Sequence, residues 1–263
     1  MGAKSNGVRA KKHLGQHFLE DLTVAERIAD AVQCRGEHAL ILEIGPGTGA
    51  LTRPLVQRFG DRVRALDVDA ESVDFLQRQD WIDPSAVELA DFLTLPLSDF
   101  PADSELVVAG NFPYNISSQI LFKFLDWKAQ GTELVGMFQK EVAERVCAPH
   151  GTKTYGILSV LLQTYYKAEY LFTVPPHVFN PPPKVQSGVL RLERRSSWPG
   201  DVSYDHLKRV TKAAFNQRRK TLRNSLRAGG FAIDGLDETT LGLRPEQLSP
   251  EGFVELARSL KTK

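Results

Sequence analysis

Short apolar runs alternate with stretches of helical periodicity along the first two-thirds of the chain. The apolar runs are 39–44, 62–67, 106–109 and 134–138, and the helical patterns between and after them are 48–59, 70–79, 117–127 and 140–147. Such alternation is typical of a parallel sheet with helices on both faces. Residues 154–166 predict another helix, and 185–192 predict a strand that closes the sheet, with 170–174 as a hairpin partner. We therefore predict an α/β, Rossmann-like sheet, mostly parallel with an antiparallel edge strand.

The pattern changes after the predicted sheet. Residues 194–201 are polar and rich in turn formers, as expected of a linker. Only helical patterns follow: a long one over 204–227, a short one near Glu238, and one that opens at Ser249, where Pro250 follows a capping serine. We predict a first domain over 1–195 and a small all-helical domain over 196–263.

Composition indicates the cellular compartment in which we expect the protein. No apolar run approaches the roughly 20 residues that span a bilayer, and the basic stretch Met1–Lys12 lacks the apolar core of a signal peptide. Two cysteines are too few for a disulfide framework. His13 and His17 lie four apart, but no second ligand pair follows, so we predict no metal site. We expect a cytoplasmic protein.

The net charge of +1 hides a strong asymmetry, because two basic segments flank an acidic middle. Such segments predict an anion-binding surface, and phosphate contact is the interpretation we favour over a solvated helix face. In the predicted helix over 204–227, helical spacing places Arg219, Arg223 and Arg227 on one face, with Phe215 above them. The residues predicted to bind RNA are Lys11, Lys12, Arg218, Arg219, Lys220 and Arg223.

A glycine loop follows the first long apolar run, in Glu43-Ile-Gly-Pro-Gly-Thr-Gly49. Glycines such as Gly45 and Gly47 allow a sharp turn and a close approach of the backbone to a ligand. Asp67 ends the next predicted strand, where an acid accepts from ribose hydroxyls. Asp91 lies near the expected end of the third strand, before the apolar run 106–109, and could accept a hydrogen bond from an adenine amino group. The series predicts a nucleotide-type cofactor, and its first two strands do not separate NAD from S-adenosylmethionine.

The motif Asn111-Phe-Pro-Tyr114 follows the strand 106–109, at the carboxyl edge where α/β sheets bind ligands. The adenine amino nitrogen is a poor nucleophile because its lone pair is delocalised into the ring. Two acceptors aimed at its hydrogens would localise that lone pair: the Asn111 side-chain oxygen, and a backbone carbonyl at Phe112 or Pro113. Pro113 fixes the turn, and Tyr114 offers a face for an extruded base. These residues favour methyl transfer to adenine. Phe179, held by three prolines, is the candidate for a second stacking face.

Five blocks of the chain resemble the KsgA/RsmA family of ribosomal RNA adenine dimethyltransferases, in the same order and over nearly the whole length. They are Lys11-Lys-His-Leu-Gly-Gln-His-Phe-Leu19, Glu43-Ile-Gly-Pro-Gly-Thr-Gly49, Asn111-Phe-Pro-Tyr114, Phe179-Asn-Pro-Pro-Pro-Lys-Val185 and Ala214-Phe-Asn-Gln-Arg-Arg-Lys-Thr-Leu-Arg-Asn-Ser-Leu226. The resemblance implies an S-adenosylmethionine-dependent enzyme. It would dimethylate two adjacent adenosines in the 3′-terminal hairpin of 16S rRNA, within an assembling small ribosomal subunit, and act as a monomer.

The resemblance also implies roles for individual residues. His17 and Leu19 would lie over the cofactor, where the family commonly has Asn at the His17 position. Gly45, Asp91 and Asn111 would contact the cofactor, and Tyr114 and Phe179 would stack on the base. The family usually carries a Glu that binds ribose two residues before the Asp of the second strand. Counted from Asp67, that position is Ala65 in this sequence. Either Asp67 takes over the ribose, or the affinity is lower, or water fills the gap.

Two other functions fit parts of the sequence. A large-subunit rRNA methylase of the antibiotic-resistance type resembles the first domain, but the arginine-rich block 214–226 favours the small-subunit enzyme. An assembly or transcription factor that has lost catalysis would keep the fold, and Ala65 leaves that alternative open. The intact Asn111-Phe-Pro-Tyr114 motif argues against it.

Overall fold

A computed structural model describes residues 4–5 and 7–260, and these form two compact units. The first unit extends to Ala143 and resumes over Glu169–Arg194. The second combines Glu144–Ala168 with the chain from Arg195 onwards. The sequence places a single boundary at 195/196, so it does not anticipate that 144–168 joins the C-terminal helices.

Eleven strands occur in the described part of the chain, and seven of them form one sheet. The strands are β1 (Lys4–Ser5), β2 (Val8–Arg9), β3 (Phe18–Leu19), β4 (Leu40–Ile44), β5 (Val63–Asp67), β6 (Val87–Leu89), β7 (Leu106–Asn111), β8 (Gly131–Gln139), β9 (Tyr166–Val174), β10 (Phe179–Asn180) and β11 (Ser187–Arg194). The strand order of the large sheet is β6-β5-β4-β7-β8-β11-β9.

The pairing within this sheet confirms the predicted fold class. Strands β4 to β8 pair in parallel, whereas β11 pairs with β8 antiparallel. The central strands β4, β7 and β8 are buried along nearly all their length, as is typical of a sheet covered on both faces. The outermost strand is β9 and not β11, so the strand predicted to close the sheet lies one position inside its edge.

Ten α-helices occur among the described residues. They are α1 (Leu22–Ala31), α2 (Thr52–Phe59), α3 (Ala70–Gln77), α4 (Ser117–Asp126), α5 (Lys140–Cys147), α6 (Ile157–Tyr165), α7 (Tyr204–Asn216), α8 (Leu222–Ala228), α9 (Glu238–Gly242) and α10 (Pro250–Ser259). Asp21, Asp69, Ser203 and Ser249 cap the helices that follow them through side-chain oxygens. No helix of the described residues is both long enough and apolar enough to cross a membrane.

The core beneath the glycine loop fixes where β4 ends. Ile28 of α1, Ile41 of β4 and Leu55 of α2 have no exposed surface and belong to one apolar cluster. Removing a side chain of this size from such a core costs about 2–5 kcal/mol. The end of β4 and the start of α2 are therefore held firmly on either side of the loop that joins them.

The long helix predicted over 204–227 is wrong, because the chain leaves the helical conformation between α7 and α8. Gln217 has φ −120° and ψ 59°, which ends α7. The Lys220 backbone N–H donates to the Gln217 carbonyl at 2.7 Å in a tight turn, and Thr221 begins α8 in an extended conformation. Arg219, in the turn, therefore does not share a helical face with Arg223 and Arg227.

Candidate active site

A cavity of about 350 Å³ lies at the carboxyl ends of β4, β5 and β7 in the first unit. This is the edge at which open α/β sheets bind ligands, and the volume falls within the range of small-molecule sites. The N-terminal block, residues 11–19, contributes one wall of the cavity. The loops after β4, β5, β6 and β7 contribute the other walls. The lining comprises residues 14–19, 43–48, 50–51, 66–68, 90–93 and 111–116.

The glycine loop after β4 adopts backbone angles that favour glycine. Gly45, Gly47 and Gly49 have φ values of 70°, 56° and 82°. A Cβ atom on Gly47 would lie 2.9 Å from the Phe18 ring, so a larger residue would collide with the N-terminal block. The loop therefore presents bare backbone to the cavity, as a ligand held closely by main-chain atoms requires.

Asp67 is the acid at the end of β5, and it lines the cavity while being only 5% exposed. Its Oδ2 accepts from the Gly47 backbone N–H at 3.2 Å, and its Oδ1 accepts from the Asp69 N–H at 2.9 Å. Burial raises the pKa of this carboxyl group, and these backbone hydrogen bonds oppose the rise. The side chain thus joins the glycine loop to β5.

Ala65, predicted from the family resemblance to lie at the cofactor ribose, is in the interior of the fold. It is fully buried in an apolar cluster with Val73 and Leu76 and does not line the cavity. Asp67 and Asp69, which end β5 and cap α3, form an acid–x–acid pair two residues further along the chain, and Asp67 lines the cavity. A ribose contact by Asp67 stays a prediction.

Asp69 anchors the N-terminal block to the start of α3. Lys11 forms an ion pair with Asp69 Oδ1, and the Gln16 side chain donates to Asp69 Oδ2 at 3.0 Å. Burial alone would raise the pKa of Asp69, but the hydrogen bonds from Lys11 and Gln16 hold it below its usual value. Lys11, which was predicted to bind RNA, forms this ion pair, and its contact with RNA stays a prediction. Its neighbour Lys12 is exposed.

Asn111 ends β7 and is held by the N-terminal block. Its Nδ2 donates to the His17 backbone carbonyl at 2.9 Å, which leaves the side-chain oxygen free of this contact. The Pro113 carbonyl already accepts from the Ile116 N–H at 3.2 Å and from the Ser117 hydroxyl at 3.3 Å. Of the two backbone carbonyls proposed from the sequence, that of Phe112 is therefore the better second acceptor.

Tyr114 lines the cavity and is fixed at both ends. Its hydroxyl shares a hydrogen bond with Ser187 Oγ, and its ring stacks on the His17 imidazole with 5.5 Å between centroids. His17 is fixed in turn by a 2.7 Å hydrogen bond between its Nδ1 and the Pro181 carbonyl. His17 is thus the aromatic neighbour of Tyr114, a role that the sequence did not indicate.

Phe179 is not part of the cavity lining. It is 3% exposed, belongs to the core of the first unit, and pairs as β10 with Leu19 of β3. Leu19 lines the cavity. The proline loop thus supports the N-terminal block through backbone pairing, and a stacking role for Phe179 stays a prediction.

The remaining predicted cofactor ligand, Asp91, lines the cavity from the loop after β6. Its Oδ1 accepts from the Leu93 backbone N–H at 2.9 Å, which orders the turn. The adjacent Phe92 is buried and packs edge-on against Trp127 at 5.0 Å. Phe92 also lines the cavity.

Glu43 is a cavity residue to which the sequence assigned no role. It is 1% exposed at the end of β4, and burial raises the pKa of its carboxyl group to about 8. An acid at the end of an otherwise apolar strand was the available signal, because apolar side chains normally fill such positions.

The predicted RNA-binding residues of the second unit fall into two environments. Arg218, Arg219 and Lys220 are exposed in the turn after α7, where Arg218 donates to the Lys153 carbonyl. Arg223, on α8, forms an ion pair with Glu238 and is less exposed. The three exposed basic residues of the turn are therefore better candidates for phosphate contact than Arg223 on α8.

Comparison with known proteins identifies the family. The family model described as ribosomal RNA adenine dimethylase matches residues 7–238. The chain belongs to this family. Its enzymes are S-adenosylmethionine-dependent methyltransferases, and the residues of the cavity fit that cofactor: a bare glycine loop, an acid after β5, another after β6, and a buried carboxyl group in the wall.

Individual relatives support the assignment along the whole chain. The chain is 51% identical over 260 residues to a protein of Porphyromonas gingivalis named ribosomal RNA small subunit methyltransferase A, covering 97% of this chain and 98% of that one. It is 48% identical over 256 residues to a protein of the same name from Cytophaga hutchinsonii, covering 97% and 99%.

Two solved structures share the fold. A dimethyladenosine transferase from Plasmodium falciparum superposes with a TM-score of 0.74 at 24% identity, covering 91% of this chain and 96% of that one. The 23S rRNA methyltransferase ErmE superposes with a TM-score of 0.65, also at 24% identity, covering 92% and 98%. The first unit's mixed sheet and the all-helical C-terminal part thus belong to a known methyltransferase architecture.

Proposed function

We propose that this protein transfers methyl groups from S-adenosylmethionine to N6 of two adjacent adenosines in the 3′-terminal hairpin of 16S rRNA. The observation that carries the proposal is the anchored Asn111 amide. Its nitrogen is engaged by the His17 carbonyl, and its oxygen is left as an acceptor beside the cavity. The family membership supports adenine in ribosomal RNA as the target.

The chemistry requires orientation more than acid–base catalysis. Bound S-adenosylmethionine supplies a methyl group that its sulfonium charge has already activated. Asn111 Oδ1 and the Phe112 carbonyl each accept a hydrogen bond from the adenine amino group. These two hydrogen bonds localise the lone pair of the nitrogen. Well-oriented groups of this kind contribute several kcal/mol to lowering a barrier. The amine proton leaves after attack, so no strong base is needed beside the nitrogen.

A neutral amide suits a second round of methylation. Once the nitrogen carries one methyl group, a single hydrogen remains for an acceptor, and Asn111 can still accept it without placing a charge beside the new methyl group. Tyr114, fixed by Ser187 and His17, offers a rigid surface on which the base can stack in both rounds.

Residues that do not line the cavity are the candidates for holding the RNA. We infer that Arg219 and Lys220, exposed in the turn after α7, contact phosphates, together with exposed Lys12 of the N-terminal block. The substrate would be 16S rRNA within an assembling small ribosomal subunit in the cytoplasm, and the protein would act as a monomer in small-subunit biogenesis.

Incubation with undermodified small subunits and labelled methyl donor tests the proposal. We expect label at two adjacent adenosines of the 3′-terminal hairpin, each with two methyl groups, and labelling about 10²–10³-fold slower with Asn111→Ala. Undermodified large subunits are the matched substrate control, because the fold is shared with a 23S rRNA methyltransferase. Label in 23S rRNA, or one methyl group per adenosine, would contradict the assignment.

A further inference from the structure

Two separate stretches of chain meet at the carboxyl end of α7 in the second unit. One is the basic turn that follows α7, and the other is the loop 149–154 between α5 and α6. The Arg218 guanidinium joins them, because its Nη2 donates to the backbone carbonyl of Thr152 at 3.4 Å and to that of Lys153. A charged side chain of the turn is therefore engaged by the loop.

The loop 149–154 has a defined shape of its own. The Thr152 hydroxyl donates to the Pro149 carbonyl at 2.9 Å and accepts from the Tyr155 backbone N–H at 3.3 Å. Gly151 has φ 86°, in the region that favours glycine, and its N–H donates to the Glu246 carbonyl at 2.6 Å. Tyr155, which follows the loop, has no exposed surface. A loop held in this way loses little conformational freedom when it binds a ligand.

The side chains that this loop presents to solvent are basic or neutral. His150, Lys153 and Thr154 are exposed, and the loop contains no acid. The turn after α7 is also free of acids, because none occurs in the sequence between 205 and 234. The acid that contacts the loop, Glu246, does so through its backbone carbonyl. The two stretches therefore form one surface of positive charge.

We propose that the loop 149–154 is a second phosphate-binding segment of the second unit, in which Lys153 contacts the RNA backbone. Arg218 is then a positioning residue, which holds the loop beside Arg219 and Lys220. Phosphate oxygens suit such a surface because they accept charge-assisted hydrogen bonds from basic side chains. The inference rests on the proposed function in taking ribosomal RNA as the ligand.

Arg218 and its two neighbours in the turn differ in what their side chains contact. All three are exposed, and exposure alone would make them equal candidates for phosphate contact. The guanidinium of Arg218 already has two carbonyl partners in the loop, so its contribution to RNA binding passes through the position of Lys153. Two residues that act through one another give losses that are not additive, whereas two independent phosphate contacts give additive losses.

Binding of the full chain to undermodified small subunits, measured over a range of salt concentrations, tests the inference. Lys153→Ala should weaken binding about five- to tenfold at 0.1 M salt and lower the slope of log affinity against log salt by about one. Arg218→Gln should give a loss of similar size. The double variant should lose no more than about twofold beyond Lys153→Ala alone. Lys212→Ala, which removes an exposed lysine from α7, is the matched control and should change both quantities less than Lys153→Ala.

Hydrogen exchange of the free protein provides a second readout. Arg218→Gln should speed exchange of the Gly151 and Tyr155 amides, whereas Lys153→Ala, which keeps the carbonyl that Arg218 contacts, should not. A photoreactive group attached to Thr154→Cys should crosslink to 16S rRNA in the bound subunit.

Four results would overturn the inference and leave the proposed function intact. They are wild-type affinity and slope in Lys153→Ala, additive losses in the double variant, unchanged amide exchange in Arg218→Gln, and crosslinks from position 154 to ribosomal protein alone. Failure of the wild-type protein to bind small subunits would overturn both the inference and the proposed function.

Discussion

The Asn111 side chain donates to the backbone carbonyl of His17 at 2.9 Å, so a residue at the end of a sheet strand is oriented by the N-terminal block. We expect Asn111→Ala to lower the methylation rate by about 10²–10³-fold, the usual cost of one preorganised hydrogen-bonding group. RNA affinity measured without cofactor should stay within about twofold of wild type, because phosphate contacts by basic side chains supply most of such affinity. Wild-type turnover in this variant would refute the role given to Asn111.

Lys11 and Lys12 are adjacent in sequence but differ in environment, which makes them a matched pair. Lys11→Ala removes the ion pair with Asp69, a contact of about 1 kcal/mol, and should weaken cofactor binding about fivefold by loosening the cavity wall. Lys12→Ala should leave cofactor affinity unchanged and weaken RNA binding. Calorimetry with cofactor and filter binding with RNA separate the two effects. A Lys11→Ala variant that lost only RNA affinity would show that the ion pair does not hold the block.

The exposed turn after α7 should dominate the salt dependence of RNA binding. Reversing Arg219 and Lys220 to Glu should reduce the slope of log affinity against log salt by about one per lost phosphate contact. Lys212→Glu, a charge reversal at an exposed position of α7, is the control for each single reversal, and it should change the slope less than either of them. An unchanged slope in the double variant would exclude phosphate contact by this turn.

Ala65→Glu tests whether position 65 or Asp67 is the better candidate for contact with the cofactor ribose. Because Ala65 is fully buried beside Val73 and Leu76, a carboxylate there should destabilise the fold by about 3 kcal/mol or more. Thermal unfolding would show a lowered midpoint. Asp67→Asn, at the acid that does line the cavity, should instead weaken cofactor binding. A stable Ala65→Glu protein that bound cofactor more tightly would restore the original assignment.

The sequence predicted the sheet well because apolar runs and glycine turns are local signals. Strands β4, β5, β7 and β8 and the helices α2, α3 and α4 follow from periodicity, and the turn at the end of β7 follows from Asn111-Phe-Pro-Tyr114. The break after Asn216 was missed because its residues, Gln217 to Thr221, include neither glycine nor proline. Each of them is tolerated in a helix, and the contact that accompanies the break, from the Leu222 N–H to the Leu243 carbonyl, is long-range.

Contacts between residues far apart in the sequence could not be predicted. Nothing local to Lys11 shows that its partner is Asp69, and nothing local to Phe179 shows that its backbone pairs with Leu19. Glu43 was passed over for a related reason, since its significance depends on what surrounds it in space. The sequence likewise does not show that Ala65 is buried beside Val73 and Leu76, outside the cavity lining.

The discontinuous make-up of the second unit limits how it can be exchanged between relatives. Its helix α6, from the 144–168 segment, packs against α7 and α10, and Tyr155 lies 6.2 Å from Phe215 between ring centroids. A fragment cut at residue 196 would lack these contacts and would expose the apolar faces of α7 and α10. A chimera meant to acquire the RNA preference of another family member must therefore graft two separate stretches of chain together.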